Sequence, residues 1–89
     1  MARRELSEIE LNETVAQTGA VDALYNLGIM YSTGRNVDAD MVSAHKWFNL
    51  AAIRGNKAAL AYRMEIAREM TNNEIAEAQR QAREWMFAC

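Results

Sequence analysis

Apolar residues recur at three- and four-residue spacing in five successive stretches, which is the period of an amphipathic α-helix. Ser7 and Glu10 form a capping box, so a first helix is predicted from about Glu8 to Gln17. Gly19 suits the left-handed position that follows a helix. The second helix is predicted from about Val21 to Ser32, with its apolar face made by Val21, Leu24, Leu27, Gly28 and Tyr31.

Three further helices follow in the same way. Asp38 or Asp40 can cap the third, and Gly55 with Asn56 closes it. A second capping box, Thr71 with Glu74, predicts a fifth helix from about Asn73 to Met86. The apolar positions of these three helices are, in order, Met41, Ala44, Trp47, Phe48 and Ala51; Ala59, Leu60, Met64 and Ala67; and Ile75, Ala78, Ala82 and Trp85.

Composition supports an all-α fold in one small domain. The 89 residues include no proline and only four glycines, which argues against a β-sandwich or barrel. The net charge of −2 gives no whole-chain electrostatic footprint for nucleic acid or anionic membrane. We expect Met1–Leu6 to be a loose tail or an extra turn. The sequence shows neither an apolar run typical of a signal peptide nor an apolar segment long enough to span a membrane, so a cytoplasmic location is expected.

Part of the chain repeats with an offset of 36 residues. The offset relates Gly19 to Gly55, and it also relates three further pairs of small or apolar residues: Ala16 and Ala52, Ala23 and Ala59, Leu24 and Leu60. Chance matching in an alanine-rich helical chain is the alternative explanation. Matches at corresponding places in a helix pair favour stacked helical hairpins, as in a solenoid.

One stretch resembles a whole unit of the Sel-one-like repeat, a relative of the tetratricopeptide repeat. The resemblance rests on residues 23–31 (ALYNLGIMY) and on Gly34, Val37, Asp40, Ala44, Trp47, Phe48, Ala51, Ala52 and Gly55. It implies a short α-solenoid of about five antiparallel helices. The implied division of a single domain, 1–89, is a degenerate half-unit (7–18), a complete unit (19–54), a half-unit (55–70) and a capping helix (71–87).

Four departures from the repeat pattern affect this expectation. Asn36 stands where the family usually has a second loop glycine, and Asp38 stands where proline is common; asparagine tolerates the left-handed conformation, so the loop should survive. Glu8 and Asn12 occupy the places that Ala44 and Phe48 hold in the complete unit. The first helix should therefore cover its neighbour only partly.

The residues of the repeat signature are of the types that close helix packing requires. Small residues are expected where helix backbones approach, with Gly28 at the closest contact, and Tyr31, Trp47 and Phe48 are expected to fill the core between hairpins. The signature positions are Ala23, Leu27, Gly28, Tyr31, Gly34, Ala44, Trp47, Ala51, Ala52 and Gly55, to which Ala59 adds a further small residue.

The sequence contains few residues that could form a catalytic site. His45 is the only histidine and is expected to lie on a helix surface, while Cys89, the only cysteine, is expected to be an inert terminal thiol. The four isolated glycines make no phosphate-binding loop. We therefore expect no enzyme activity, no catalytic or metal-binding residues and no cofactor.

Surface recognition of a protein or peptide is the function that remains. In helical-repeat solenoids the first helices of successive units line a concave binding face. The candidate contact residues are Tyr25, Asn26, Ile29, Tyr62, Glu65 and Arg68. The alternative is that Tyr25, Ile29 and Tyr62 only complete intramolecular packing. The resemblance implies a small adaptor or scaffold.

Two other functions stay open. One is a structural or regulatory homo-oligomer, because an open end is expected either around Leu11 and Val15 or at the aromatic C-terminal end, and a homodimer would cover it. The other is a nucleic-acid-associated regulator that uses Arg80 and Arg83 beside Trp85, although no nucleic-acid partner is expected from so few basic residues.

Overall fold

The computed structural model describes residues 7–88, and these residues form five α-helices without a strand. The helices are α1 (Glu8–Ala16), α2 (Val21–Thr33), α3 (Met41–Ile53), α4 (Lys57–Ala67) and α5 (Asn72–Ala88). The all-α fold is confirmed. The tail at Met1–Leu6 and the thiol of Cys89 lie outside the described residues.

The two predicted capping boxes and one of the predicted caps of α3 are confirmed. The Glu10 N–H donates to Ser7 Oγ at 3.2 Å, and the Glu74 N–H donates to Thr71 Oγ1 at 3.1 Å, so both capping boxes form. Of the two candidate caps for α3, the structure uses Asp40, whose carboxylate accepts the N–H groups of Val42 and Ser43. Each cap satisfies backbone donors that the first turn of a helix leaves without a partner.

Turns end the helices where the sequence predicts. Gly19, Gly34 and Gly55 all have positive φ, and so does Asn36 in the loop between α2 and α3 (φ 64°). Asn56 has two roles: its N–H donates to the Ala51 carbonyl at the end of α3, and its side chain accepts the Ala59 N–H to begin α4. One residue therefore ends one helix and caps the next.

Helix α3 lies at the centre of the molecule. It packs against α2, α4 and α5, whereas α1 packs against α2. The helices together form an elongated body of 48 × 25 × 22 Å. The arrangement is a short stack of helical hairpins.

Gly28 marks the closest approach between α2 and α3. A Cβ atom on Gly28 would lie 2.5 to 2.8 Å from three ring carbons of Phe48, which is closer than real Cβ contacts. Phe48, Leu24 and Leu27 are completely buried around this contact, and Trp47 is almost completely buried. The predicted role of Gly28 is confirmed, because no other residue leaves room for the ring. Tyr31 is only half-buried and packs at the margin of the core.

Two expectations from the sequence are wrong. His45 is 4% exposed, not a surface residue, because α3 is covered on several sides and keeps little of its circumference in water. Leu60 and Met64 belong to the apolar stripe of α4, yet they are 40% and 57% exposed. The reason is that α5 docks mainly on α3 and leaves this face of α4 uncovered.

Candidate functional site

The two tyrosines of the candidate surface lie next to each other. Tyr25 comes from α2 and Tyr62 from α4, and their ring centroids are 6.2 Å apart. Phe48 of α3 lies beneath both rings, 5.9 Å from Tyr25 and 5.5 Å from Tyr62. Because these separations are typical of interacting aromatic side chains, the three rings form one cluster that joins three helices.

Some residues of the candidate surface pack against the core, and others are exposed to solvent. Tyr25 and Ile29 are half-buried and pack against the core, so they contribute to intramolecular packing. Tyr62 is 42% exposed, and Asn26, which follows Tyr25 on α2, is also exposed. Phe48 thus supports, from below, a surface on which one aromatic ring and a polar side chain face the solvent. As a binding site, this surface stays a prediction.

Glu65 and Arg68 continue the surface along α4. Both are exposed, and together with Ala61 and Met64 they line an open depression of about 360 Å³. Met64 was expected in the core, so the sequence reading missed its place in this depression. No local signal in the sequence could have found it, because the exposure of Met64 depends on α5 packing mainly on α3.

Electrostatics at the cluster favour a neutral Tyr25. Burial raises the pKa of Tyr25 above its ordinary value of 10.0, and the neighbouring Tyr62 raises it further through charge repulsion and a hydrogen bond. A tyrosine that stays protonated keeps its O–H as a donor. The pair therefore offers apolar ring faces with polar hydroxyl tips, a combination found at protein interfaces.

The C-terminal end has less basic character than its sequence indicates. Arg80 bonds Glu77 through Nε at 2.9 Å and Glu84 through Nη1 at 2.6 Å. The Arg80 hydrogen bonds, with a smaller contribution from Gln81, lower the pKa of Glu77 to about 2. Trp85 turns inward to make an edge-to-face contact with Trp47 at 5.7 Å. Arg80 is thus engaged by two carboxylates, which leaves little positive charge there for a phosphate.

Residues 7–88 contain no cluster of side chains suited to binding a metal ion. No three His, Cys, Asp or Glu side chains of this range come together as metal ligands. His45 Nδ1 is buried without a hydrogen-bond partner, and burial, with Arg63 as a smaller cause, lowers the pKa of the imidazole below 6.5. Across the same range, the helices are too short or too polar to span a bilayer.

The hairpin stack defines the class of protein: it is a helical-repeat protein. A model of the Sel1 repeat family matches residues 21–56, which include all of α2 and α3 and the turn that leads into α4. These residues are therefore similar to a Sel1 repeat, which confirms the resemblance drawn from residues 23–55. Neither the curated proteins nor the solved structures give a significant match. Sel1 repeats are typically interaction modules that bind other proteins and are not catalytic.

Proposed function

We propose that this protein is a small adaptor or scaffold that binds a partner protein or peptide along the surface of Tyr25, Asn26, Ile29, Tyr62, Glu65 and Arg68. The observation that carries the proposal is the pairing of Tyr25 with Tyr62 across α2 and α4, above Phe48. Two helices that lie 36 residues apart in the repeat thus contribute adjacent side chains to one surface.

The composition of the surface suits protein recognition. Tyrosine adds a large contact area at low entropic cost, because its side chain has only two rotatable angles. The packing of Tyr62 on Phe48, with rings inclined by 21°, holds this side chain in place before a partner arrives. Exposed Glu65 and Arg68 would supply a polar rim and select partners by charge.

The experiment is affinity capture by variants that change the surface and spare the core. Asn26→Arg and Glu65→Arg each alter an exposed position, and Tyr62→Phe removes only the hydroxyl. Gln79→Arg adds the same charge as Asn26→Arg, but at an exposed position on α5, and serves as the matched control. The partner is first identified by cross-linking from position 26 in its own cell extract and is then tested as a purified protein.

We expect Asn26→Arg and Glu65→Arg to weaken binding of the purified partner by about tenfold or more each, as charged substitutions within an interface do. Gln79→Arg should bind as the unmodified protein does. Equal binding by the unmodified protein and all four variants would refute the proposed surface. A catalytic role is not proposed, and a cytoplasmic location stays a prediction for fluorescence microscopy of a tagged chain.

A further inference from the structure

One apolar face of α4 is open to solvent. Leu60 and Met64 on this face are 40% and 57% exposed. The residues 36 positions earlier on α2, Leu24 and Gly28, are buried, and Gly28 contacts the Phe48 ring of α3. The open face of α4 thus corresponds to a face that a helix covers within the same hairpin stack. Helix α5 leaves it uncovered because α5 packs mainly on α3.

The shape of this face differs from that of its counterpart on α2. Phe48 packs against Gly28, and the Tyr25 ring lies beside it with 5.9 Å between the ring centroids. On α4 the corresponding residues are Met64 and Ala61, so a bulky side chain replaces the glycine and a small one replaces the tyrosine. Both residues line the open depression of about 360 Å³. A helix that fits this face would therefore place a large apolar side chain over Ala61.

Two basic residues lie in line with the apolar ones. The members of this α4 stripe are Lys57, Leu60, Ala61, Met64 and Arg68. Spacings of three and four residues put them on one side of the helix, and Arg68 at the C-cap keeps helical backbone angles. Lys57 lines a second depression, of about 180 Å³, together with Leu60, while Arg68 lines the larger one together with Met64. An apolar stripe thus has a basic residue at each end.

Neither basic residue of the stripe is neutralised by the described part of the chain. The ion pairs within residues 7–88 use other arginines and leave Lys57 and Arg68 without a carboxylate partner. Glu65 also lines the larger depression, but it lies about 100° around the helix from the centre of the stripe. The positions of α2 that correspond to the two basic residues are Val21 and Ser32, which are uncharged. Charge therefore distinguishes the α4 stripe from the face that holds α3.

We propose that the α4 stripe binds an acidic amphipathic helix of a partner protein, which packs on α4 as α3 packs on α2. Apolar residues of this helix contact Leu60 and Met64, and two of its carboxylates pair with Lys57 and Arg68. The two basic residues are eleven positions apart, about 17 Å along the axis, so the two carboxylates are separated by three turns of the partner helix. Only Arg68 also belongs to the proposed adaptor surface that includes Asn26, so the two proposals can fail separately.

The test measures binding of a synthetic helix to the full chain by fluorescence anisotropy. The probe is a labelled peptide of about 18 residues, held helical by a hydrocarbon staple, with leucine and alanine on one face and two glutamates eleven positions apart. A matched peptide has lysine in place of both glutamates. We expect the acidic peptide to bind with a Kd of about 10 to 100 μM and the basic peptide to bind at least about ten times more weakly.

A charge reversal on the protein tests the two ion pairs. The double variant Lys57→Glu with Arg68→Glu should prefer the basic peptide over the acidic one, because each new carboxylate then faces a lysine. Both positions are exposed, so the fold should persist by circular dichroism. Arg83→Glu makes the same change at an exposed position on α5 and should keep the original preference. Asn26→Arg, which tests the adaptor surface, should also leave peptide binding unchanged.

Met64→Glu tests the apolar part of the stripe and should weaken binding of the acidic peptide by about tenfold or more. Met86→Glu, at an exposed methionine on α5, is its control and should bind as the unmodified protein does. The inference is overturned if the two peptides bind equally, or if the charge reversal does not reverse the preference. It is also overturned if light scattering shows self-association that Met64→Glu abolishes, because a second copy of the chain would then cover the stripe.

Discussion

At the scale of single residues, Gly28 has the most restrictive position in the fold. Helix propensity alone would make Gly28→Ala stabilising by about 1 kcal/mol. The added Cβ would lie 2.5 Å from Phe48, however, and overpacking of this kind costs about 1 to 3 kcal/mol or more. We expect a net loss in the free energy of unfolding, measured by urea denaturation.

The control for this prediction is Asn26→Ala, which makes a propensity-favourable change at an exposed position of the same helix. It should leave stability unchanged or raise it. A double variant that combines Gly28→Ala with Phe48→Leu should lose less than the sum of the two single losses, because the smaller side chain removes the clash. Additive losses would contradict the proposed contact.

His45 predicts a pH dependence of stability. Its pKa in the folded protein is lowered from 6.5 by burial and by Arg63, so the unfolded chain binds the proton more readily than the folded one. The contribution of neutral His45 to the free energy of unfolding is therefore fully present above pH 6.5. It decreases as the pH falls from 6.5 through the pKa of His45 in the folded protein. We expect the melting temperature to fall between about pH 7.5 and pH 5.

His45→Gln provides the comparison, since glutamine does not titrate. The difference in melting temperature between the two proteins should change with pH over this interval and should stay constant above it. The contribution of Glu77 to stability is lost mainly below pH 5, as the pH falls from 4.5, the ordinary pKa of its carboxyl, toward about 2, so this group adds little to the change above pH 5. Parallel curves for the two proteins would show that His45 is not the titrating group.

At the scale of elements, α5 is held to the stack by an aromatic contact. Trp85 is half-buried against Trp47, and Ala78 and Ala82 are buried on the same side of α5. Trp85→Ala should reduce the free energy of unfolding by about 2 to 4 kcal/mol. This loss is near the lower end of the range for removing a tryptophan side chain, because Trp85 is not completely enclosed.

The measurement is urea denaturation followed by the fluorescence of Trp47, which is the remaining tryptophan in that variant. Phe87→Ala is the matched control, because the phenylalanine lies two residues further along the same helix and is largely exposed. Phe87→Ala should leave the midpoint of the urea transition unchanged. A Trp85→Ala variant with the same midpoint as this control would contradict the docking of α5 through Trp85.

The elements were predictable where local chemistry determines them. Ser7, Thr71 and the positive-φ glycines specify helix ends by hydrogen bonds and backbone conformation within a few residues, which a sequence shows directly. The burial of His45 and the exposure of Met64 depend instead on where α4 and α5 dock. No local pattern encodes that arrangement, so both residues were assigned to the wrong environment.

At the scale of the whole molecule, the repeat offset explains what could be predicted of the candidate surface. An offset of 36 residues makes α2 and α4 equivalent, so side chains on the same face of both helices were expected to lie close together. Tyr25 and Tyr62 do so. The partial burial of Tyr25 and Ile29 could not be read from the offset, because it depends on how closely Phe48 packs beneath them.

The central place of α3 also bears on how the chain folds. Three of the four main helix contacts join neighbours in sequence, and the contact of α3 with α5 spans only one intervening helix. Proteins with such local contacts fold in microseconds to milliseconds, because little loop entropy is lost before contacts form. Assembly should start at the α2–α3 hairpin, and α1, α4 and α5 should then add to a nucleus that already contains Gly28 and Phe48.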